Sequence, residues 1–106
     1  DIDGFSRWLE NLDGLGLLSR VHVLAGLMPM RSFKAAQMIA QVPGVKVPQA
    51  LLDRMEKSAD PKEEGVQITL ELIEALKRLP GVHGLHIMAV GWESIVPRLI
   101  KESSVR

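Results

Sequence analysis

Two apolar stretches stand out in this chain, and a helical pattern follows each of them. The first runs from Val21 to Leu27 and the second from about Gly84 to Val90. Short, unbroken apolar runs are typical of strands that are buried on both faces of a parallel sheet. Pro29 marks the end of the first strand, because proline cannot donate a ladder hydrogen bond. The pattern therefore predicts two parallel strands joined by a right-handed crossover.

Five further segments have the three- and four-residue apolar spacing of amphipathic helices. We expect Asp3, Ser32 and Ser94 to cap the first, second and last of them. Pro48 falls in the first turn of the third helix, where its missing N–H is harmless. The fourth begins at Asp60 as a capping box. The residues predicted to face the core are Phe5, Trp8, Leu9, Leu12, Phe33, Ala36, Ile39, Ala40, Leu51, Leu52, Met55, Leu72, Ile73, Leu76, Leu79, Leu99 and Ile100.

The fourth helix is expected to continue to about Leu79, with Glu74 and Arg78 paired one turn apart on its exposed side. The element order is then helix, strand, helix, helix, helix, strand, helix, which is an α/β pattern. A (β/α)8 barrel takes about 250 residues, and two strands alone would leave open sheet edges. We therefore expect residues 1–106 to be a single, incomplete segment, completed by other residues or another chain. A small autonomous α/β domain is the alternative.

Composition excludes several classes of function. The 13 basic and 13 acidic residues balance to a net charge of zero, which gives little support to nucleic-acid binding. Cysteine is absent, so disulfides and thiolate chemistry are excluded, and a cytoplasmic location is compatible with this. No apolar run reaches the roughly 18 residues of a membrane helix. The balance favours a protein that acts on neither nucleic acid nor membrane.

In parallel α/β folds, ligands bind at the turns that follow the strands. Met28, Met30 and Met88 fall at these turns and are candidates to line an apolar pocket, although methionine is also a common core filler. Arg31, beside a helix start, could hold an anionic group or could simply be solvated. Trp92 could stack on a ligand or pack against the rim of the fold.

Other polar residues favour structural roles. Glu63 and Glu64 lie in the first turn of a helix, where negative charge is favourable, rather than forming an acid–base pair. His83 and His86, three apart in a strand, would point to opposite faces and would not share a metal ion. We expect His86 to be a hydrogen-bonded polar residue of a barrel layer. The sequence therefore predicts neither an acid–base pair nor a metal site among these residues.

Residues 23–36 read Val-Leu-Ala-Gly-Leu-Met-Pro-Met-Arg-Ser-Phe-Lys-Ala-Ala. They resemble the second-to-last strand and the following helix start of methylenetetrahydrofolate reductases. Residues 42–48 and 81–93 look like the same family at the expected order and spacing. The resemblance covers essentially the whole chain and implies the last two βα units of a (β/α)8 TIM barrel.

The resemblance also implies a chemistry. Family members hold FAD and pass hydride from NAD(P)H or another reductant through the flavin to 5,10-methylenetetrahydrofolate, making 5-methyltetrahydrofolate in one-carbon metabolism and methionine biosynthesis. The family's catalytic Glu and main FAD contacts would lie outside this chain, so the segment alone should be inactive. A folate substrate and a homo-oligomer are expected, and some members are fused to a homocysteine methyltransferase domain.

Substrate contacts carry over only in part. A Gln and a Phe that contact pterin or nicotinamide in some members match Ala35 and Ile39 here, and an Arg past the last strand matches Trp92. The predicted substrate-binding set is Met28, Met30, Arg31, Ala35, Ile39, Met88 and Trp92. The alternatives are another flavin- or pterin-binding barrel enzyme, or a non-catalytic barrel fragment that serves as an interaction or regulatory subunit.

Overall fold

The computed structural model describes residues 1–43 and 45–103. Over this part of the chain it has five α-helices, two strands and one 3₁₀ turn. In chain order they are α1 (Ile2–Gly14), β1 (Val23–Leu27), α2 (Phe33–Ala40), α3 (Gln49–Lys57), α4 (Pro61–Lys77), β2 (Val82–Ile87), a 3₁₀ turn (Glu93–Ile95) and α5 (Val96–Ser103). The predicted α/β class and element order are confirmed. None of these helices is both long and apolar enough to cross a membrane.

The two strands pair in parallel, as predicted, but with an irregular register. Val23 lies opposite Val82, whereas the next residue, Leu24, lies opposite Gly84. His83 is the extra residue, and its Nδ1 accepts the backbone N–H of Val23 at 3.0 Å. An imidazole nitrogen thus replaces the carbonyl acceptor that a regular ladder would offer, and the strand bulges at this point.

Only one face of the sheet is covered by helices. Val23, Ala25 and Leu27 are buried, whereas Leu24 between them is 65% exposed and Gly26 is exposed as well. The prediction that both faces are buried is therefore wrong for this chain. The reason is that the described helices all pack on the same side, so the other side of the two strands has no covering layer.

Helix α4 is the centre of the core on the covered side. The main cluster joins it to β1 and α5 through Ala25, Leu27, Val66, Ile73, Leu76 and Leu99. A second cluster, Met30, Ala36, Met55 and Ile68, joins it to α2 and α3. Trp8 and Ile100 were predicted to face the core, but they are 48% and 43% exposed. Both residues have regular helical spacing, but no element of the described chain covers the side of α1 or α5 on which they lie.

Helix starts follow the predicted caps at two of four positions. Ser32 Oγ accepts the N–H of Ala35 at 3.0 Å, and Asp60 Oδ1 accepts the N–H of Glu63 at 3.4 Å. The predicted cap at Asp3 is wrong, because the chain is already helical from Ile2 and Asp1 takes this role. The cap at Ser94 is also wrong, since this residue lies inside the 3₁₀ turn that leads into α5.

Element ends and pairs differ in detail. Each strand starts two residues away from its predicted start, at Val23 and Val82, and α4 ends at Lys77. Glu74 pairs with Lys77 at 3.3 Å rather than with Arg78. The capping box is half formed, because the Glu63 carboxylate turns outward to another helix instead of back to the Asp60 N–H.

Candidate functional site: the loops after the two strands

The loops that follow β1 and β2 lie at the same end of the sheet, because the strands are parallel. The ladder continues into them, and the N–H of Met88 donates to the Leu27 carbonyl at 2.7 Å. Six of the seven predicted substrate-binding residues lie either in these loops or in the first turn of α2, and Ile39 lies one turn further along that helix.

Helix α4 packs against the loop after β1. Met30 is 5% exposed and belongs to the second core cluster. A Cβ on Gly65 would overlap the Met30 carbonyl oxygen, so the first turns of α4 press directly against this backbone. Ser32 then caps α2. The loop is thus fixed at its middle by packing and at its end by a hydrogen bond.

The loop after β2 is a tight turn around Gly91. This residue has a φ of +75°, a conformation that glycine adopts without strain. The N–H of Trp92 donates to the Ala89 carbonyl at 3.0 Å, and a carboxylate oxygen of Glu93 accepts the N–H of Gly91 at 3.1 Å. Hydrogen bonds from the Glu93 backbone N–H and then from Gly91 lower the pKa of the Glu93 carboxyl. Trp92 packs against the main core cluster.

Arg31 links the two loops. Its Nη1 donates to the carbonyl of Gly91 at 3.3 Å, across 60 positions of sequence. The predicted anion contact is not tested by the structure, but the guanidinium does lie at the end of the sheet where ligands bind in parallel α/β folds.

A cavity of about 460 Å³ opens beside β1, on the edge away from β2. Its walls come from the start of α1, the end of β1, α3 and the segment before it. Among the predicted site residues, Met28, Met30 and Ile39 line it. Ala35, Met88 and Trp92 do not.

Met88 instead lies over the uncovered face of the sheet. Its terminal methyl is 2.8 Å from the position that a Cβ on Gly26 would occupy. Leu24 and His86 belong to the same face, because Leu24 lies two residues before Gly26 in β1 and His86 is the residue opposite Gly26 in β2. The predicted substrate wall is therefore divided between the edge cavity and this open face, and the described chain does not bring its members together into one pocket.

Ionisable groups elsewhere serve the packing of helices. Glu63 accepts two hydrogen bonds from Arg98 of α5, and these lower the pKa of Glu63 to about 2. Glu64 pairs with Arg54 of α3 at 2.7 Å. Within residues 1–43 and 45–103, no three His, Asp or Glu side chains are grouped closely enough to hold a metal ion.

Sequence reasoning missed two features of this region: the close backbone contact at Gly65 and the hydrogen bond between Arg31 and Gly91. Gly65 lies inside a helix, where glycine lowers helix stability by about 1 kcal/mol relative to alanine. This unfavourable choice of residue was the only signal in the sequence for a close backbone contact. The bond between Arg31 and Gly91 had no local signal, because the two residues meet only when the strands pair.

Comparisons with known proteins match nearly the whole chain to one family. The family profile described as methylenetetrahydrofolate reductase matches residues 1–104. Methylenetetrahydrofolate reductase 1 of Schizosaccharomyces pombe (strain 972 / ATCC 24843) is 26% identical over 105 residues, which is 95% of this chain and 17% of the relative. The chain thus spans less than a fifth of that protein's length. The match over nearly all residues shows that the chain belongs to the methylenetetrahydrofolate reductase family.

Proposed function

We propose that this chain is the carboxyl-terminal part of a methylenetetrahydrofolate reductase barrel. The complete enzyme would reduce 5,10-methylenetetrahydrofolate to 5-methyltetrahydrofolate in one-carbon metabolism, on the route to methionine. The observation that carries the proposal is the sheet itself: two parallel strands with helices on one face only, in a chain of this family. In a (β/α)8 barrel the helices form an outer ring and the other face of each strand looks into the barrel.

The free edge of β1 supports the same arrangement. The N–H of Met88 donates to the Leu27 carbonyl, so the backbone groups of Leu27 point toward β2. Alternate residues of a parallel strand bond to the same neighbouring strand, and the backbone groups of Ala25 therefore point toward β2 as well. Leu24 and Gly26 then direct theirs to the opposite edge, next to the cavity. Unpaired strand edges attract further strands. We propose that the remainder of the barrel, on the same or another polypeptide, supplies a strand here.

The loops after the strands would then form part of the wall of the substrate pocket. Met88 on the open face and Met28 at the edge cavity would each offer apolar surface to the folate, and Trp92 would lie in the turn that follows Met88. Ala35 and Ile39, in the first two turns of α2, would sit behind the β1 loop. These residues would bind and orient the substrate and exclude water; none of them would move a proton.

The described residues do not by themselves fit FAD. They contain no Gly-rich phosphate loop, and the Ala35 and Ala36 amides at the start of α2 already donate to Ser32. In the proposal the rest of the barrel binds FAD, and NAD(P)H or another reductant supplies hydride. A homo-oligomer and a cytoplasmic location stay predictions from the sequence.

Methionine truncations test the proposal in the complete reductase. Met88→Ala should raise the KM for methylenetetrahydrofolate by about tenfold, because an apolar contact in a pocket is worth about 1–3 kcal/mol. Met38→Ala is the matched control, since Met38 is 62% exposed on the outer side of α2. Steady-state kinetics with each substrate varied separates the two. An equal effect of both variants, or no folate-dependent flavin oxidation in the wild-type protein, would count against this function and favour the interaction-subunit alternative.

A further inference from the structure

The two loops at the carboxyl end of the sheet are held in different ways. The β1 loop is packed: Met30 is buried and lies against Gly65 of α4. The turn after β2 has little packing at its tip, where the Val90 side chain is 92% exposed. Its shape depends on hydrogen bonds to the backbone of Gly91, which lies between Val90 and Trp92.

Gly91 is held on both sides. Glu93 accepts its N–H at 3.1 Å from within the same turn, and Arg31 donates to its carbonyl at 3.3 Å from the other loop. The first bond closes the turn on itself. Of these two bonds, the second links the turn to the β1 loop, because it crosses between them.

Arg31 has no competing partner in the part of the chain that the structure describes. The ion pairs there engage Arg54, Arg98 and Lys77, and the one side-chain hydrogen bond of Arg31 goes to Gly91. Its side chain is exposed and adds little to the core. Because this exposed arginine bridges the two loops at the carboxyl end of the sheet and belongs to no helix or strand, its role lies in the geometry of those loops and not in the stability of the fold.

We infer that Arg31 is a positioning residue. It holds the carbonyl of Gly91 and thereby fixes the turn that carries Trp92 relative to the loop after β1. It acts through Gly91 and need not touch the substrate. The identity of the substrate rests on the proposed function, whereas the link between the loops does not.

The test removes the donor and measures the turn directly, in the full-length protein. Arg31→Met keeps an apolar stem without a donor, Arg31→Lys restores a donor, and Arg20→Met removes an exposed arginine at the opposite end of β1 as the control. Hydrogen exchange followed by mass spectrometry would report the amides of Gly91 and Trp92. Loss of one hydrogen bond shifts the local opening equilibrium of a turn by roughly fivefold. In Arg31→Met the amides of Gly91 and Trp92 should therefore exchange about five times faster than in wild type. Their exchange rates in Arg31→Lys should be close to wild type, and in Arg20→Met they should be unchanged.

Kinetics then separates positioning from direct contact. We expect Arg31→Met to raise the KM for methylenetetrahydrofolate about fivefold, with recovery in Arg31→Lys and a kcat that changes less. Unchanged exchange at Gly91 and Trp92 would overturn the inference, even if KM rose, because Arg31 would then contact the substrate itself. Faster exchange with unchanged kinetics would also overturn the positioning role. Faster exchange in a protein whose wild type reduces no folate would leave the link intact and reject the proposed function.

Discussion

The two faces of β1 carry the same kinds of residue but have opposite surroundings. Leu27 on one face is 7% exposed and packs with α4 and α5, whereas Leu24 on the other is 65% exposed. Both lie in one five-residue strand, and both are leucines. The sequence of β1 is therefore apolar on both faces, whereas the helices of the described chain cover only one of them.

The largest expected effect comes from testing these leucines against each other. Leu27→Ala should lower the free energy of unfolding by about 2–5 kcal/mol, because it leaves a cavity among buried side chains. Leu24→Ala should change it by less than about 0.5 kcal/mol in this chain, because the side chain is already in solvent. Urea unfolding of the two variants measures the contrast. Equal losses would mean that the open face is covered in solution, by a second copy or by rearrangement.

Gly65 offers a second test on the covered side. Gly65→Ala should destabilise the fold by about 1–3 kcal/mol, because a Cβ there overlaps the Met30 carbonyl and α4 must move away from the β1 loop. Gly14→Ala is the matched control, since Gly14 is also helical and nothing lies within 4 Å of its Cβ position. Thermal unfolding would compare them. If Gly65→Ala were as stable as wild type, the close contact that fixes the β1 loop would be refuted.

The smallest effect concerns the exposed ion pairs that tie the helices together. Hydrogen bonds from Arg98 hold the pKa of Glu63 at about 2, below its ordinary value of 4.5. The folded protein therefore binds a proton at Glu63 less readily than the unfolded chain does. The pair stabilises the fold fully above about pH 4.5, and its contribution is lost as the pH falls toward 2.

Acid titration of stability would isolate this contribution. Wild type should lose unfolding free energy between pH 4.5 and about 2, in part because Glu63 takes up a proton. Glu63→Gln should lack that part of the loss, whereas the parts due to the other carboxylates should be unchanged. Gln67→Ala is a useful comparison, because Gln67 donates the weaker of the two side-chain contacts to Glu63 and leaves Arg98 in place. Identical acid profiles for wild type and Glu63→Gln would show that the pair with Arg98 does not form in solution.

Local features of the fold were predictable where the signal lies within a few residues. The caps at Ser32 and Asp60 were found because a side-chain oxygen and the amide it accepts stand three residues apart. The cap of α1 is Asp1 and not the predicted Asp3, because both are aspartates two residues apart and only the path of the chain decides between them. The bulge at His83 had no local signal, since it depends on which carbonyl or nitrogen meets the Val23 N–H.

The sequence by itself determined the element order, the parallel pairing and, through residues 23–36 and 81–93, the family resemblance. Those properties follow from periodicity, caps and motifs, all of which are local. The tertiary structure alone decided which face of the strands is bare, that Met88 lies over Gly26 while Met28 and Met30 line the edge cavity, and that Arg31 reaches Gly91. These facts join residues that are distant in sequence, and such contacts form only when the strands pair and α4 packs across them.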